Sequence, residues 1–224
     1  MNEAVKKTDL SRRIASIGIV PVVQLPRPEL AVPLAETLAE AGLPCLEVTF
    51  RAQGAAQAIA AIRAARPDVL VGAGTVLTVD QADAAIEASA QFIVSPGTNP
   101  RVVAHVLGRG AHMIPGVATP SEIEANLERG LLMLKFFPAE ALGGPAFLRS
   151  VQGPFEAARF IPSGGVTPDN MASYLALANV PAVGGTWIAP VSALESEDFT
   201  AIERRAREAA NLVRDAQGRA AGAG

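Results

Sequence analysis

The sequence predicts an α/β chain folded as a single (β/α)8 TIM barrel, and three observations carry that prediction. Eight short apolar runs alternate with Ala-rich helical stretches and begin about 19–28 residues apart, the period of repeating βα units. Runs such as Val69-Leu-Val-Gly-Ala-Gly-Thr-Val76 suit parallel strands buried on both sides. The length of 224 residues fits one barrel, because such barrels run as single domains of about 200–250 residues.

The elements follow in order. An extra N-terminal helix reads over Thr8–Ile17, before a first strand at Gly18–Leu25. Pro28-Glu29 opens a helix that ends near Gly42, and strand two is Cys45–Phe50. Ala52–Arg66 is an Ala-rich helix that stops before Pro67. Strand three, Leu70–Val76, leads to a helix from Thr78 to Ser89. Strand four, Phe92–Gly97, leads to a helix from Asn99 to Leu107. Strand five, His112–Val117, precedes Thr119-Pro-Ser-Glu122, which reads as an N-cap with Pro in the first turn and an acid at the third position. That helix runs to Arg129. Strand six is Leu131–Pro138 and strand seven Arg159–Gly165; Thr167-Pro-Asp-Asn170 then repeats the capping chemistry. Strand eight is Ala182–Trp187, and a last helix covers roughly Glu197–Asp215. Residues 1–7 and 216–224 read as flexible tails on one domain spanning 1–224. A doubly wound open sheet is the alternative. It usually carries a Gly-rich turn after its first strand, where this chain has Leu25-Pro-Arg-Pro28.

Composition narrows the function. A net charge of −3 leaves no electrostatic footprint for nucleic acid or an anionic membrane. No apolar run approaches the roughly 20 residues that cross a bilayer. The start, MNEAVKKTDLSRR, lacks an apolar signal core, and the single Cys45 suits a reducing compartment, so the expected location is cytoplasmic. The 19 basic residues include only three lysines, and Lys6 and Lys7 lie in the polar N-terminal arm. Lys135 alone stands in the body of the chain, inside the apolar run Leu131-Leu-Met-Leu-Lys-Phe-Phe-Pro138. Where a surface cation is needed, this chain uses Arg. Arg cannot form an imine, whereas a lysine amine can.

The chemistry of such a barrel lies at the C-terminal strand ends. On strand two, Glu47, Thr49 and Arg51 share one face, and Leu46, Val48 and Phe50 the other. The polar set is expected inside, with Glu47 as general acid/base and Arg51 as a carboxylate clamp at the mouth. A purely structural Glu47–Arg51 ion pair is the alternative. Thr75, ending strand three, can lend a hydroxyl to a bound carboxylate, or serve only as a helix cap. On strand six Met133, Lys135 and Phe137 share a face. A lysine amine deprived of water favours its neutral, nucleophilic form, so Lys135 reads as a Schiff-base nucleophile. The alternative is a lysine that only neutralises Glu47. Pro162-Ser-Gly-Gly165 and Gly184-Gly-Thr-Trp187 place two Gly-Gly turns after strands seven and eight, where such barrels bind phosphate through backbone N–H groups. Ser163 and Thr186 add hydroxyls; simple tight turns are the alternative. His105 and His112 have no partners at metal-ligand spacing, so neither a metal nor another cofactor is expected.

Leu46-Glu-Val-Thr-Phe-Arg51, Val71-Gly-Ala-Gly-Thr-Val76, Ser95-Pro-Gly97, Ile114-Pro-Gly116, Leu134-Lys-Phe-Phe-Pro-Ala-Glu140 and the two Gly-Gly turns together resemble the 2-keto-3-deoxy-6-phosphogluconate (KDPG) aldolase family of the Entner–Doudoroff pathway. The resemblance runs from about residue 15 to residue 210. It implies a homotrimer, a lyase, and a phosphorylated 2-keto sugar acid cleaved to pyruvate and glyceraldehyde 3-phosphate. It places the Schiff-base lysine on Lys135, the acid/base on Glu47 and the pyruvate-carboxylate ligands on Arg51 and Thr75. Pro96 and Phe137 then line the pocket, and Ser163, Gly164, Gly165, Gly184, Gly185 and Thr186 hold the phosphate. Ser163 stands where Thr is common, Thr186 where Ser is common, and Leu142 where a small or polar residue is usual. Thr49 and Arg51 differ from the Pro and Asn of the galactonate-specific branch. A 4-hydroxy-2-oxoglutarate or 2-keto-3-deoxy-6-phosphogalactonate aldolase, and a non-covalent phosphate-binding isomerase, are the alternatives.

Overall fold

A computed structural model describes the backbone of residues 3–222 and the side chains of residues 9–218. Within them the chain is an α/β fold on a curled parallel sheet. Helix α1 (Glu3–Ile17) leads into β1 (Ile19–Val23). A 3-10 turn at Pro28–Leu30 opens α2 (Ala31–Glu40), followed by β2 (Cys45–Thr49) and α3 (Ala55–Ala65). Next come β3 (Leu70–Gly74), α4 (Val79–Glu87), β4 (Phe92–Val94) and α5 (Pro100–Gly108). Two very short strands, β5 (Met113–Ile114) and β6 (Gly116–Val117), precede α6 (Pro120–Glu128) and β7 (Met133–Phe136). The chain continues through α7 (Gly144–Ser150), β8 (Arg159–Pro162), α8 (Met171–Leu175), β9 (Val183–Gly185), α9 (Val191–Glu195) and α10 (Phe199–Gly222).

The strands pair in two parallel arcs, β5-β4-β3-β2-β1-β9 and β6-β7-β8. The arcs part at two places, between β8 and β9 and, in the middle of the expected fifth strand, at Pro115. Proline has no N–H for the ladder, so the expected fifth strand splits into β5 and β6. The Pro115 carbonyl still accepts from the Lys135 amide at 2.9 Å, which keeps β7 in place.

Alternation along the strands builds two cores. Ile19, Leu46, Val48, Val71, Ile93 and Leu134 pack outward against the helices. Val20, Cys45, Leu70, Phe92, Ile114, Met133 and Ile161 form a second, inner cluster, which Leu10 and Ile14 of α1 join. Leu46 and Val48 therefore face the helices, as the period of two requires. The helix starts are chemical. Thr119 and Glu122 form a reciprocal capping box on α6, Thr78 caps α4, and Asn99 caps α5.

Several expectations need correction. The predicted strands overran at their C-terminal ends: Leu25, Phe137, Ser163 and Trp187 sit in the loops that follow. Thr167–Asn170 makes no capping box. Asn170 accepts from the Thr167 amide instead, and α8 starts only at Met171. Helices α7 and α9 were not anticipated, and α10 carries the Ala-rich C-terminal segment on to Gly222. Helices α1 and α10 thus enter both expected tails, while the tail expectation for residues 1–2 and 223–224 lies outside the described residues.

Candidate active site

The C-terminal ends of the strands bring the predicted residues to one mouth. Glu47 leaves the inner face of β2 and Lys135 that of β7, and Lys135 Nζ lies 3.2 Å from Glu47 Oε1. Both are buried, with side-chain exposures of 9% and 5%. Glycine at position 74 makes this approach possible, because a Cβ there would lie 2.1 Å from Glu47 Oε1. The Phe137 ring covers the amine, its centroid 5.5 Å from Nζ. The pair itself borders a void of about 10 Å³, which Phe92, Ile114, Ile161, Ser163 and Gly184 also line. That is at the lower limit for a single water, so at most one fits beside the pair.

An isolated buried ion pair is a poor stabiliser, since desolvating each ion costs several kcal/mol. Two inner-face groups bonded this way toward the C-terminal strand ends place an amine and a carboxylate within proton-transfer reach of each other. The expected alternative, a Glu47–Arg51 pair, is not formed: Glu47 pairs with Lys135. Arg51 stands exposed in the turn after β2 and makes no ion pair among the described residues. It is therefore available to an incoming anion.

Thr75 follows β3 directly and is half-buried. Its φ of 55° is a left-handed conformation that a β-branched residue adopts only at a cost of order 1–3 kcal/mol. The cap of α4 is Thr78, so the helix-cap alternative for Thr75 is not realised. Pro96 follows β4 and is braced from behind. Ser95 Oγ donates to the Gly97 carbonyl (2.6 Å), Thr98 Oγ1 to the Gly116 carbonyl (2.8 Å), and Asn126 Nδ2 to Thr98 Oγ1 (2.7 Å).

Ser163, Gly164 and Gly165 form the turn after β8. Gly164 and Gly165 have φ of 89° and 87°, which glycine alone adopts without strain. This turn is sewn to the exit of β7: the Ala139 amide donates to Ser163 O (2.9 Å) and the Glu140 amide to Gly164 O (3.1 Å). Gly184 and Gly185 close β9, with Thr186 exposed beyond them. A Cβ on Gly184 would fall 2.4 Å from Ser163 Oγ, so the two Gly-Gly turns lie side by side.

Sequence reasoning missed two features. Asn126 is fully buried and holds Thr98. Tyr174, on α8, donates a hydrogen bond to Glu140 Oε1 and is itself fully buried. Burial, and next the adjoining carboxylate, push its phenol above the usual range. A lone tyrosine in an apolar helix signals a buried hydroxyl seeking a partner, but nothing in the sequence says which. A separate cavity of about 450 Å³ lies at the opposite strand ends, lined by Leu10, His112, Leu131 and Met133 among others, with no amine–carboxylate pair. Among the described residues no group of three His, Cys, Asp or Glu could hold a metal ion, and no helix is long and apolar enough to cross a membrane.

Known proteins carry the same pattern. A family model described as KDPG and KHG aldolase matches residues 10–205. The 2-dehydro-3-deoxy-phosphogluconate aldolase of Treponema pallidum is 50% identical over 197 residues, covering 88% of this chain and 94% of that one. The KDPG aldolase of Legionella pneumophila, solved with pyruvate captured as a covalent carbinolamine intermediate, superposes with a TM-score of 0.85 at 36% identity, covering 88% of this chain and 96% of that one. The Zymomonas mobilis ZM4 enzyme, solved with 3-phosphoglycerate, gives a TM-score of 0.83 at 38% identity, covering 92% and 95%.

Proposed function

Because the chain belongs to the KDPG and KHG aldolase family, we propose that it is a Schiff-base lyase that cleaves 2-keto-3-deoxy-6-phosphogluconate to pyruvate and glyceraldehyde 3-phosphate. The observation that carries this reading is the buried 3.2 Å contact between Lys135 Nζ and Glu47 Oε1 at the foot of the mouth.

The Lys135 amine attacks the substrate C2 carbonyl. Glu47 stands within hydrogen-bond reach to move the protons that convert carbinolamine to iminium. Arg51 holds the substrate carboxylate with its planar fork, and Thr75 adds a hydroxyl. The iminium draws the electrons of the C3–C4 bond as Glu47 takes the C4 hydroxyl proton. The aldehyde leaves, Glu47 returns a proton to the enamine, and hydrolysis frees pyruvate. Pro96 and Phe137 wall the pocket around the pyruvyl part. Ser163, Gly164, Gly165, Gly184, Gly185 and Thr186 receive the phosphate through amides and hydroxyls.

The two arcs join into a closed eight-stranded barrel, with α1 as the extra N-terminal helix against its inner cluster. In support, β5 and β6 are one strand interrupted at Pro115, and the Gly184–Ser163 approach brings β9 against the end of β8. One such domain accounts for the chain, the assembled enzyme is a homotrimer, and its compartment is the cytoplasm.

Borohydride reduction in the presence of pyruvate tests the chemistry. Expected are irreversible inactivation and a pyruvate-sized mass on Lys135, both lost in Lys135→Arg. A Lys135→Arg variant with full turnover would overturn the mechanism in favour of a non-covalent barrel. The family description covers KHG as well as KDPG, which favours 4-hydroxy-2-oxoglutarate as a second substrate. Steady-state comparison of the two substrates ranks them.

A further inference from the structure

The mouth carries a second carboxylate that the reaction above does not use. Glu140 lies just beyond β7 and is exposed, yet its stem lies against the Ser163–Gly165 turn. Its amide donates to Gly164 O at 3.1 Å, and a Cβ on Gly165 would fall 2.5 Å from Glu140 Cγ. An anion fixed at this spot is the wrong charge for a loop that receives a phosphate dianion, and like charges brought together weaken binding.

The Glu140 carboxylate is restrained at one point. Tyr174, fully buried on α8, donates its hydroxyl to Glu140 Oε1. We infer that Tyr174 is a positioning residue for phosphate selectivity: it ties the Glu140 carboxylate back toward α8 and keeps that charge off the phosphate turn. The inference rests on the reading of the Ser163–Gly165 turn as the phosphate site. Without the hydroxyl, the last torsions of Glu140 are free to swing the carboxylate over the turn. The turn itself does not depend on Tyr174. The Ala139 and Glu140 amides hold it from one side, and Asn170 Nδ2 donates to Gly165 O at 2.9 Å from the other.

Steady-state kinetics on the full-length enzyme test this. In Tyr174→Phe the KM for KDPG rises about tenfold, the effect of one carboxylate near a dianion in a water-like dielectric, while kcat stays within about twofold. Adding Glu140→Gln to Tyr174→Phe removes the charge and returns KM to the wild-type value. Borohydride trapping of pyruvate, which needs no phosphate site, keeps its wild-type rate in both variants. An unchanged KM in Tyr174→Phe, or a double variant that does not recover, overturns the inference. The wild-type enzyme with unphosphorylated 2-keto-3-deoxygluconate separates the two levels. If removing the phosphate leaves KM unchanged, the phosphate-site reading fails and this inference with it. If KM depends on phosphate but not on Tyr174, only this inference fails.

Discussion

The two ends of the curled sheet use the same strands for opposite purposes. At the N-terminal end the inner face is apolar: Cys45, Leu70, Phe92 and Met133 pack together, and Ile14 of α1 joins them fully buried. Toward the C-terminal end the same faces turn polar. On β2 alone, Cys45 gives way to Glu47 two residues on, and Arg51 stands exposed past the strand end. On β7, Met133 gives way to Lys135. One layer of the sheet thus separates an apolar floor, which holds the fold, from a charged mouth, where the proposed chemistry takes place. The floor also matters to the mouth, because Val20, Phe92, Ile114 and Ile161 pack against the buried Lys135–Glu47 pair.

The sharpest way to break this contrast is to remove the proposed proton carrier, Glu47, without changing its shape. Glu47→Gln keeps a hydrogen-bond acceptor beside Lys135 but cannot shuttle protons. A positioned general acid/base contributes about 10²- to 10⁴-fold, so kcat for KDPG cleavage is expected to fall by that factor. Thermal unfolding checks that the fold survives. A folded Glu47→Gln enzyme retaining activity within a few-fold would mean that the pair is structural, and the mouth would then differ from the floor only in polarity.

The converse substitution belongs to the floor. Ile14 has no exposed surface and packs into the inner cluster. Ile14→Ala should cost about 2–5 kcal/mol in urea unfolding, the range for a large-to-small change in a packed interior. At temperatures where the variant is folded, kcat/KM is expected to stay near wild type. A fall in kcat/KM comparable to that of Glu47→Gln would show that floor and mouth are one unit.

This division explains what the sequence made legible. Lys135 stands out because a charge inside an apolar run has few structural reasons to be there, and because the body of the chain otherwise uses Arg. Glu47 and Arg51 followed from the period of two. The strand count was readable from apolar runs, but Pro115 split one of them, since pattern alone does not reveal where a ladder loses its donor. Helices α7 and α9, of 7 and 5 residues, are too short for a periodic signal. The Tyr174–Glu140 bond joins residues 34 apart in the chain, and the Asn126–Thr98 bond residues 28 apart. Such pairings depend on how α6 and α8 pack, which local sequence does not encode.

Cys45 offers the finest test, because here the expected effect is none. It shares the inner face of β2 with Glu47, one layer lower, and is fully buried. Burial, and next the negative charge of Glu47, push its thiol well above the usual range, so it stays neutral in the folded protein. The thiolate is the reactive species, and a neutral buried thiol is inert. A thiol reagent at pH 8 should therefore leave the native enzyme unlabelled and fully active, and should label Cys45 stoichiometrically once urea unfolds the chain. Pyruvate with borohydride, by contrast, should mark Lys135 in the native state. Two potential nucleophiles on the inner faces of the two arcs then behave oppositely, because one opens toward the mouth and the other is sealed beneath it. Rapid native labelling of Cys45 would show that reagent reaches the inner face of β2, and the contrast between a sealed floor and an open mouth would lose its basis.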